Sequence, residues 1–332
     1  MESATVQTRR FGRASAGALS LAIPAALALL TACGPSYSEK YEGLPGATSK
    51  QALGAPAVIP APADAKPCAV AEKRGRTVFV SDVGTNEIVC FSEKSGTLKA
   101  VGAITQGINM PFGVAIDGNG RLYVANGAFK DVAVYAPGQA EPAQILGPGV
   151  VNPVGIAIDA QGAVYVTNSV PPSLVRFPKG KSVPSMIVKA KLVEPFGIAV
   201  DKAGTVFVAD YGAGHVLTLS AGSTTPKILN LKGVHQPVGV AVDAKGQLYV
   251  SQAQDSTVMV FRPPYSAPVR TLRSGVSGPY FLALDQTGAL FVPNANGATV
   301  GVYLTPGSAP HLNTSKALLV PVGSAAFSPA KS

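Results

Sequence analysis

Apolar residues between about 76 and 328 come in short runs bounded by Gly, Pro, Asp and Asn, the pattern of strands rather than of long helices. The runs repeat. Asp117, Asp159, Asp201, Asp243 and Asp285 stand 42 residues apart, and so do Pro111, Pro153, Pro195, Pro237, Pro279 and Pro321. Pro142, Pro184, Pro226, Pro268 and Pro310 keep the same step. Three ladders in one register define a structural unit. A first strand follows the proline, as in PVGIAIDAQG from Pro153 to Gly162. The Asp and the Gly three residues later predict a tight turn, the Asp oxygen capping local N–H groups and the Gly taking positive φ. Second strands end at Asp82, Asn126, Asn168, Asp210, Gln252 and Asn294, and third strands at Tyr135, Phe177, Leu219, Phe261 and Tyr303. A fourth begins near the Pro142 series. Proline cannot donate to a ladder, so that strand is expected at an exposed edge.

Four strands in about 40–45 residues make one blade of a β-propeller. Second strands occur six times from Thr77–Asp82 onward, and first strands six times from Pro111 to Pro321. The chain thus opens on a second strand and closes on a first one, PVGSAAFS from Pro321 to Ser328. The expectation is an all-β, six-bladed propeller of four-stranded blades, its ring closed by a C-terminal inner strand. The repeat resembles NHL-type repeats: Pro-x-Gly, an apolar run, Asp-x-x-Gly, then a strand ending in Asp or Asn. It departs from them at the Asn-His-Arg stretch that opens their third strand, which only Gly214-His215-Val216 approaches.

The N-terminal pattern is different. Arg9, Arg10 and Arg13 precede an uncharged, Leu/Ala-rich stretch from Ala14 to Leu30, followed by Leu30-Thr31-Ala32-Cys33-Gly34. This resembles the lipobox of bacterial lipoproteins and implies a signal peptide over 1–32, with Cys33 as the lipidated mature N-terminus. An ordinary cleaved signal or a retained anchor are the alternatives. Thr8-Arg9-Arg10-Phe11 is similar to a twin-arginine signal, with the Phe one place early. Residues 33–68 keep no period and are rich in Pro, Ala and Gly, a tether for a propeller over 69–332. Cys68 and Cys90 then remain as a pair, either a disulfide in an oxidising compartment or two buried thiols.

Composition narrows the picture. Length suggests two domains in 332 residues, but the repeat unites most of the chain in one ring. Three Cys and three His exclude a disulfide-dense scaffold and a zinc-module array. The net charge of +9 hints at nucleic acid. Residues 1–32 hold three Arg and one Glu, so the remainder has 24 basic and 17 acidic residues, net +7. In an exported protein this basicity, including Lys179, Lys181, Lys189 and Lys191 in one blade, reads as a solvated edge and not as a nucleic-acid site.

Candidate chemistry lies where inner strands begin and second strands end, on one face of the ring. Between Pro and Gly the residues run Phe112, Val154, Phe196, Val238, Tyr280, Val322. With Asn126, Asn168, Asp210 and Asn294 at strand ends, and Phe129, Tyr211, His215 and His235 in loops, they compose a candidate ligand surface. The alternative is structural: aromatics packed between blades and Asn/Asp capping turns. NHL-type amidating lyases hold zinc with histidines near the Pro-x-Gly strands; here the middle position of Pro-x-Gly never holds His, and three scattered His match a zinc triad poorly. Streptogramin lyases are propellers with a catalytic His, a role open only to His235 or His215. Lactonase propellers imply a Ca²⁺ or Mg²⁺ site, for which Glu194, Asp210 and Asn168 are the candidates. The function expected is a monomeric, lipid-anchored module of the bacterial cell envelope, on its periplasmic or surface side, that binds an envelope protein or glycan. A metal-assisted lactonase or a lyase on the same face is the alternative.

Overall fold

The computed structural model describes residue 68 and residues 76–305, 309–314 and 318–327. These residues form six four-stranded antiparallel sheets. The signal peptide expected from the sequence, Cys33 and all of the expected tether except Cys68 lie outside the described residues. Blade 1 takes residues 76–104, and blades 2 to 6 span 111–146, 153–188, 195–229, 239–272 and 283–314. Blade 1 borrows its innermost strand, Pro321–Phe327, from the C-terminus, pairing Thr77 with Phe327 and Asp82 with Pro321. The ring closes as the strand arithmetic predicts.

The Asp-x-x-Gly turns form as expected. In blade 3 the Asp159 Oδ1 accepts N–H bonds from Gln161 and Ala163, at 3.0 and 2.8 Å, and Gly162 takes φ +83°. Proline opens the outer strands Pro142–Leu146 and Pro268–Leu272 and precedes the shorter Met186–Val188 and Lys227–Leu229. Second strands are buried along their whole length, as in Val206–Asp210. Each blade is covered on both faces by its neighbours, so these strands read as continuous apolar runs instead of alternating ones.

The core divides accordingly. Six apolar clusters each fill one interface between adjacent blades. A seventh lies at the axis, where Phe112, Val154, Val238, Tyr280 and Val322 meet from five blades, with Phe196 packed against them. Cys68 joins the cluster between blades 1 and 2 and is disulfide-bonded to Cys90, with Cα atoms 5.9 Å apart.

The Pro-x-Gly glycines allow inner strands to approach one another around the axis. A Cβ on Gly113 would lie 2.6 Å from the Val154 carbonyl oxygen, and one on Gly197 2.7 Å from that of Val238. Gly197 N–H instead donates to Val238 O at 2.9 Å. The Ser81, Thr167 and Ser251 hydroxyls donate to the carbonyls of Phe112, Phe196 and Tyr280 in the following blade. The aromatic–valine alternation therefore has a polar counterpart, a hydroxyl in every second blade.

Candidate functional site

The face where inner strands begin, called the upper face below, is built on the residues that end the second strands. Each reaches back to the loop that brings the chain in from the previous blade. Asn126 Oδ1 accepts from Asn109 N–H at 3.2 Å, and its Nδ2 donates to Gly107 O at 2.9 Å. Asn168 repeats this with Val151 and Gly149, and Asn294 with Ser277 and Gly275. Asp210 has no amide to donate, and its two oxygens accept from Val193, Glu194 and Ala213 N–H. All four side chains are buried. Their polar atoms are engaged in holding loops, which satisfies backbone groups that would otherwise be costly to bury.

The aromatic ring divides. Phe112 and Tyr280 turn inward and are buried in the axial cluster, whereas Phe196 is half-buried and stacks on Tyr211, with ring centres 5.2 Å apart. Gln254 Nε2 donates to the Tyr211 hydroxyl at 3.0 Å. The Tyr280 hydroxyl is buried without a hydrogen-bond partner among the described residues. Burial holds this phenol above its ordinary range, so it remains a neutral donor under the aromatic layer.

Of the histidines, His235 is exposed and its Nε2 lies 2.8 Å from the Asp255 carboxylate. His215 opens the third strand of blade 4 and lines a hollow of about 360 Å³ with Leu231 and Lys232. Its Nε2 is buried with no partner among the described residues. Glu194 is buried beside Asp210, whose oxygens are committed to backbone. Among the described residues no group of three or more His, Cys, Asp or Glu is placed to hold a metal ion. Lys179 and Lys181 lie before the outer strand of blade 3, and Lys189 and Lys191 after it.

Around the axial plug stands a rim of which residue chemistry singled out only Phe129. Phe129, Val151, Val170, Val193 and Leu319 are all 39–56% exposed. Val151, Val193 and Leu319 occupy equivalent positions in loops that lead to inner strands, where the other blades carry Asn109, His235 and Ser277. The 42-residue register contains that signal, for an apolar residue recurs where a loop tip would ordinarily be polar. Phe129 and Val170 project from loops between second and third strands. Blades 1 to 4 thus present an apolar arc, and blade 5 answers with His235, Gln254 and Asp255.

No protein-family model and no curated protein matches the chain. Solved structures do. A chain of a nidogen/laminin complex aligns with TM-score 0.65 and 18% identity over 76% of this chain and 98% of its own. A catalytically inactive virginiamycin B lyase from Staphylococcus aureus, with quinupristin, aligns with TM-score 0.54 and 12% identity over 74% of this chain and 84% of its own. A streptogramin B lyase gives TM-score 0.51 and 12% identity over 74% and 76%. At such identities the likeness is one of fold: the chain is a six-bladed β-propeller whose structural neighbours include both a binding assembly and lyases.

Proposed function

We propose that this chain is a lipid-anchored propeller of the bacterial cell envelope that binds a protein or glycan surface with its upper face. The observation that carries this reading is the exposed arc of Phe129, Val151, Val170, Val193 and Leu319 around a filled axis. Large apolar side chains grouped on one face mark a docking surface. The polar groups across the arc, His235, Asp255 and Gln254, supply the rim that a specific interface needs. The basic and apolar N-terminal pattern ending at Cys33 supports the anchor, and the Pro-rich stretch to residue 68 supports a stalk. The repeat grammar supports an NHL-like lineage for the blades.

The test is sedimentation with purified cell-wall glycan and capture from envelope extract, both in EDTA. The wild type is compared with Phe129→Glu/Val193→Glu and with a control at Val183, which is exposed before the outer strand of blade 3. Loss of retention in the double variant alone supports the reading; equal retention in all three overturns it.

A lyase is the second reading, favoured by the buried Nε2 of His215, without a partner among the described residues, and by fold likeness to the lyases. Turnover of quinupristin that disappears in His215→Ala would decide for it. Binding abolished by EDTA would instead support a Ca²⁺ or Mg²⁺ site.

A further inference from the structure

Tyr123, Tyr165 and Tyr249 occupy one register position on the second strands of blades 2, 3 and 5, six residues after the turn aspartate of their blade. In blade 2 the hydroxyl meets Asp117 Oδ2 at 3.4 Å. In blade 3 it donates to Asp159 Oδ2 at 3.2 Å and accepts from Arg176 Nε at 3.0 Å. Blade 5 breaks the pattern. There Gln247 Nε2 donates to Asp243 Oδ2 at 2.8 Å, while Gln247 Oε1 accepts from Arg262 Nε at 3.0 Å. Asp243 Oδ1 accepts the N–H groups of Lys245 and Gln247. Three donors of its own turn thus engage the carboxylate, and the Tyr249 hydroxyl is buried with no partner among the described residues.

Tyr249 lines a groove of about 320 Å³ between blades 5 and 6, with its hydroxyl buried beneath the surface. Val260, Leu290 and Tyr303 give it apolar walls, and Lys245, Arg262 and Arg270 line its mouth. None of these three cations is ion-paired among the described residues. The arginine beside Tyr165 in blade 3 is by contrast self-contained, since Arg176 bonds Tyr165 and Ser185 and lies 4.0 Å from Asp159. A buried hydroxyl without an acceptor is costly, and beside cations that make no direct ion pair among the described residues an anion would satisfy both.

We propose that the groove between blades 5 and 6 binds an oxyanion, a phosphate ester or carboxylate on a small apolar body, with Tyr249 donating to it and Arg262 and Arg270 pairing with it. The volume lies at the lower end of small-ligand sites, about 300–1,000 Å³, so a single ring with one anionic group is the size that fits. Arginine forks suit both phosphate and carboxylate oxygens. Burial keeps the phenol of Tyr249 protonated, which makes it a donor and not a competing charge.

The experiment is calorimetric titration of the full-length chain in detergent with phenyl phosphate and, separately, benzoate. Saturable binding of one probe is expected, weakened about tenfold or more in Arg262→Ala/Arg270→Ala and severalfold in Tyr249→Phe. Tyr165→Phe leaves it unchanged, and the tighter probe identifies the anionic group. Tyr249→Phe keeps the shape of the core, so it tests the site even if the arginine variants fold poorly. Absence of saturable binding by either probe up to millimolar concentration overturns the proposal. So does binding indifferent to both the arginines and Tyr249. Because the groove lies away from the upper-face arc, Phe129→Glu/Val193→Glu leaves this titration intact whichever way the upper-face reading falls.

Discussion

Leu319 donates its backbone N–H to the carboxylate of Asp82 at 2.7 Å, across 237 residues of sequence. Val320 N–H joins it at 2.9 Å, and Gly84 and Thr85 N–H bond the same side chain from its own loop. One buried side chain therefore organises both a local turn and the seam where the C-terminal strand closes the ring. Asp82→Ala leaves these N–H groups without their acceptor and is expected to cost about 3 kcal/mol. Urea denaturation measures it, and a loss under about 0.5 kcal/mol, the range of an ordinary surface change, would refute the assignment.

The same residue makes stability depend on pH. Burial outweighs the four N–H donors and holds the Asp82 carboxyl above its ordinary value of 3.8. The folded chain then keeps its proton to higher pH than the unfolded chain. The contribution of Asp82 to stability is present below the ordinary carboxylate value and is lost as pH rises through the raised one. Asp82→Asn removes this dependence. Relative to that variant, the wild type should gain stability on acidification from neutral pH toward about pH 4. Paired denaturation curves check the sign, and a difference that moves the other way would count against it.

Glycines separate axial packing from simple turn geometry. Gly197→Ala would place a methyl against the backbone of Val238 and Gly239 in the next blade, with no flexible side chain to yield. A cost of about 3 kcal/mol is expected, as for overpacking in a core. Gly118 has nothing within 4 Å of an added Cβ and carries no positive φ. Gly118→Ala should be neutral or stabilise by up to about 1 kcal/mol through the unfolded state. Thermal melts of the two variants distinguish the positions.

Tyr249 and Tyr165 should respond oppositely to loss of the hydroxyl. In anion-free buffer Tyr249→Phe removes an unpaired buried group and is expected to stabilise by about 1 kcal/mol, raising Tm by roughly 2–4 °C. Tyr165→Phe deprives Asp159 and Arg176 of a partner and should destabilise by about 1 kcal/mol. Calorimetric scans in phosphate-free buffer check both, and equal shifts in one direction would show that the two hydroxyls are not differently satisfied.

Much of the upper face was legible in part. Periodicity placed Phe112, Phe196 and Tyr280 at equivalent positions, and Asn126, Asn168, Asp210 and Asn294 at another set. It could not tell that Phe112 and Tyr280 turn into the axis while Phe196 stays half-buried under Tyr211. Nor could it tell that the strand-end amides and Asp210 spend their polar atoms on loops arriving from the previous blade. The apolar arc was written in the same register but lacks chemical groups, so a search for reactive residues passes over Val151, Val193 and Leu319.

Strand order, the six blades and the closing C-terminal strand can all be read along the chain. Each depends on local signals: a proline that stops a ladder, an Asp-x-x-Gly turn, an apolar run of one strand's length. Repetition then multiplies those signals until chance is no rival. Differences between identical-looking residues emerge only once the blades pack. Tyr123, Tyr165 and Tyr249 share one register position, yet the third loses its aspartate because Gln247 reaches Asp243 first. Such outcomes are competitions between side chains for one acceptor within a packed interface, and spacing along the chain carries no information about who wins.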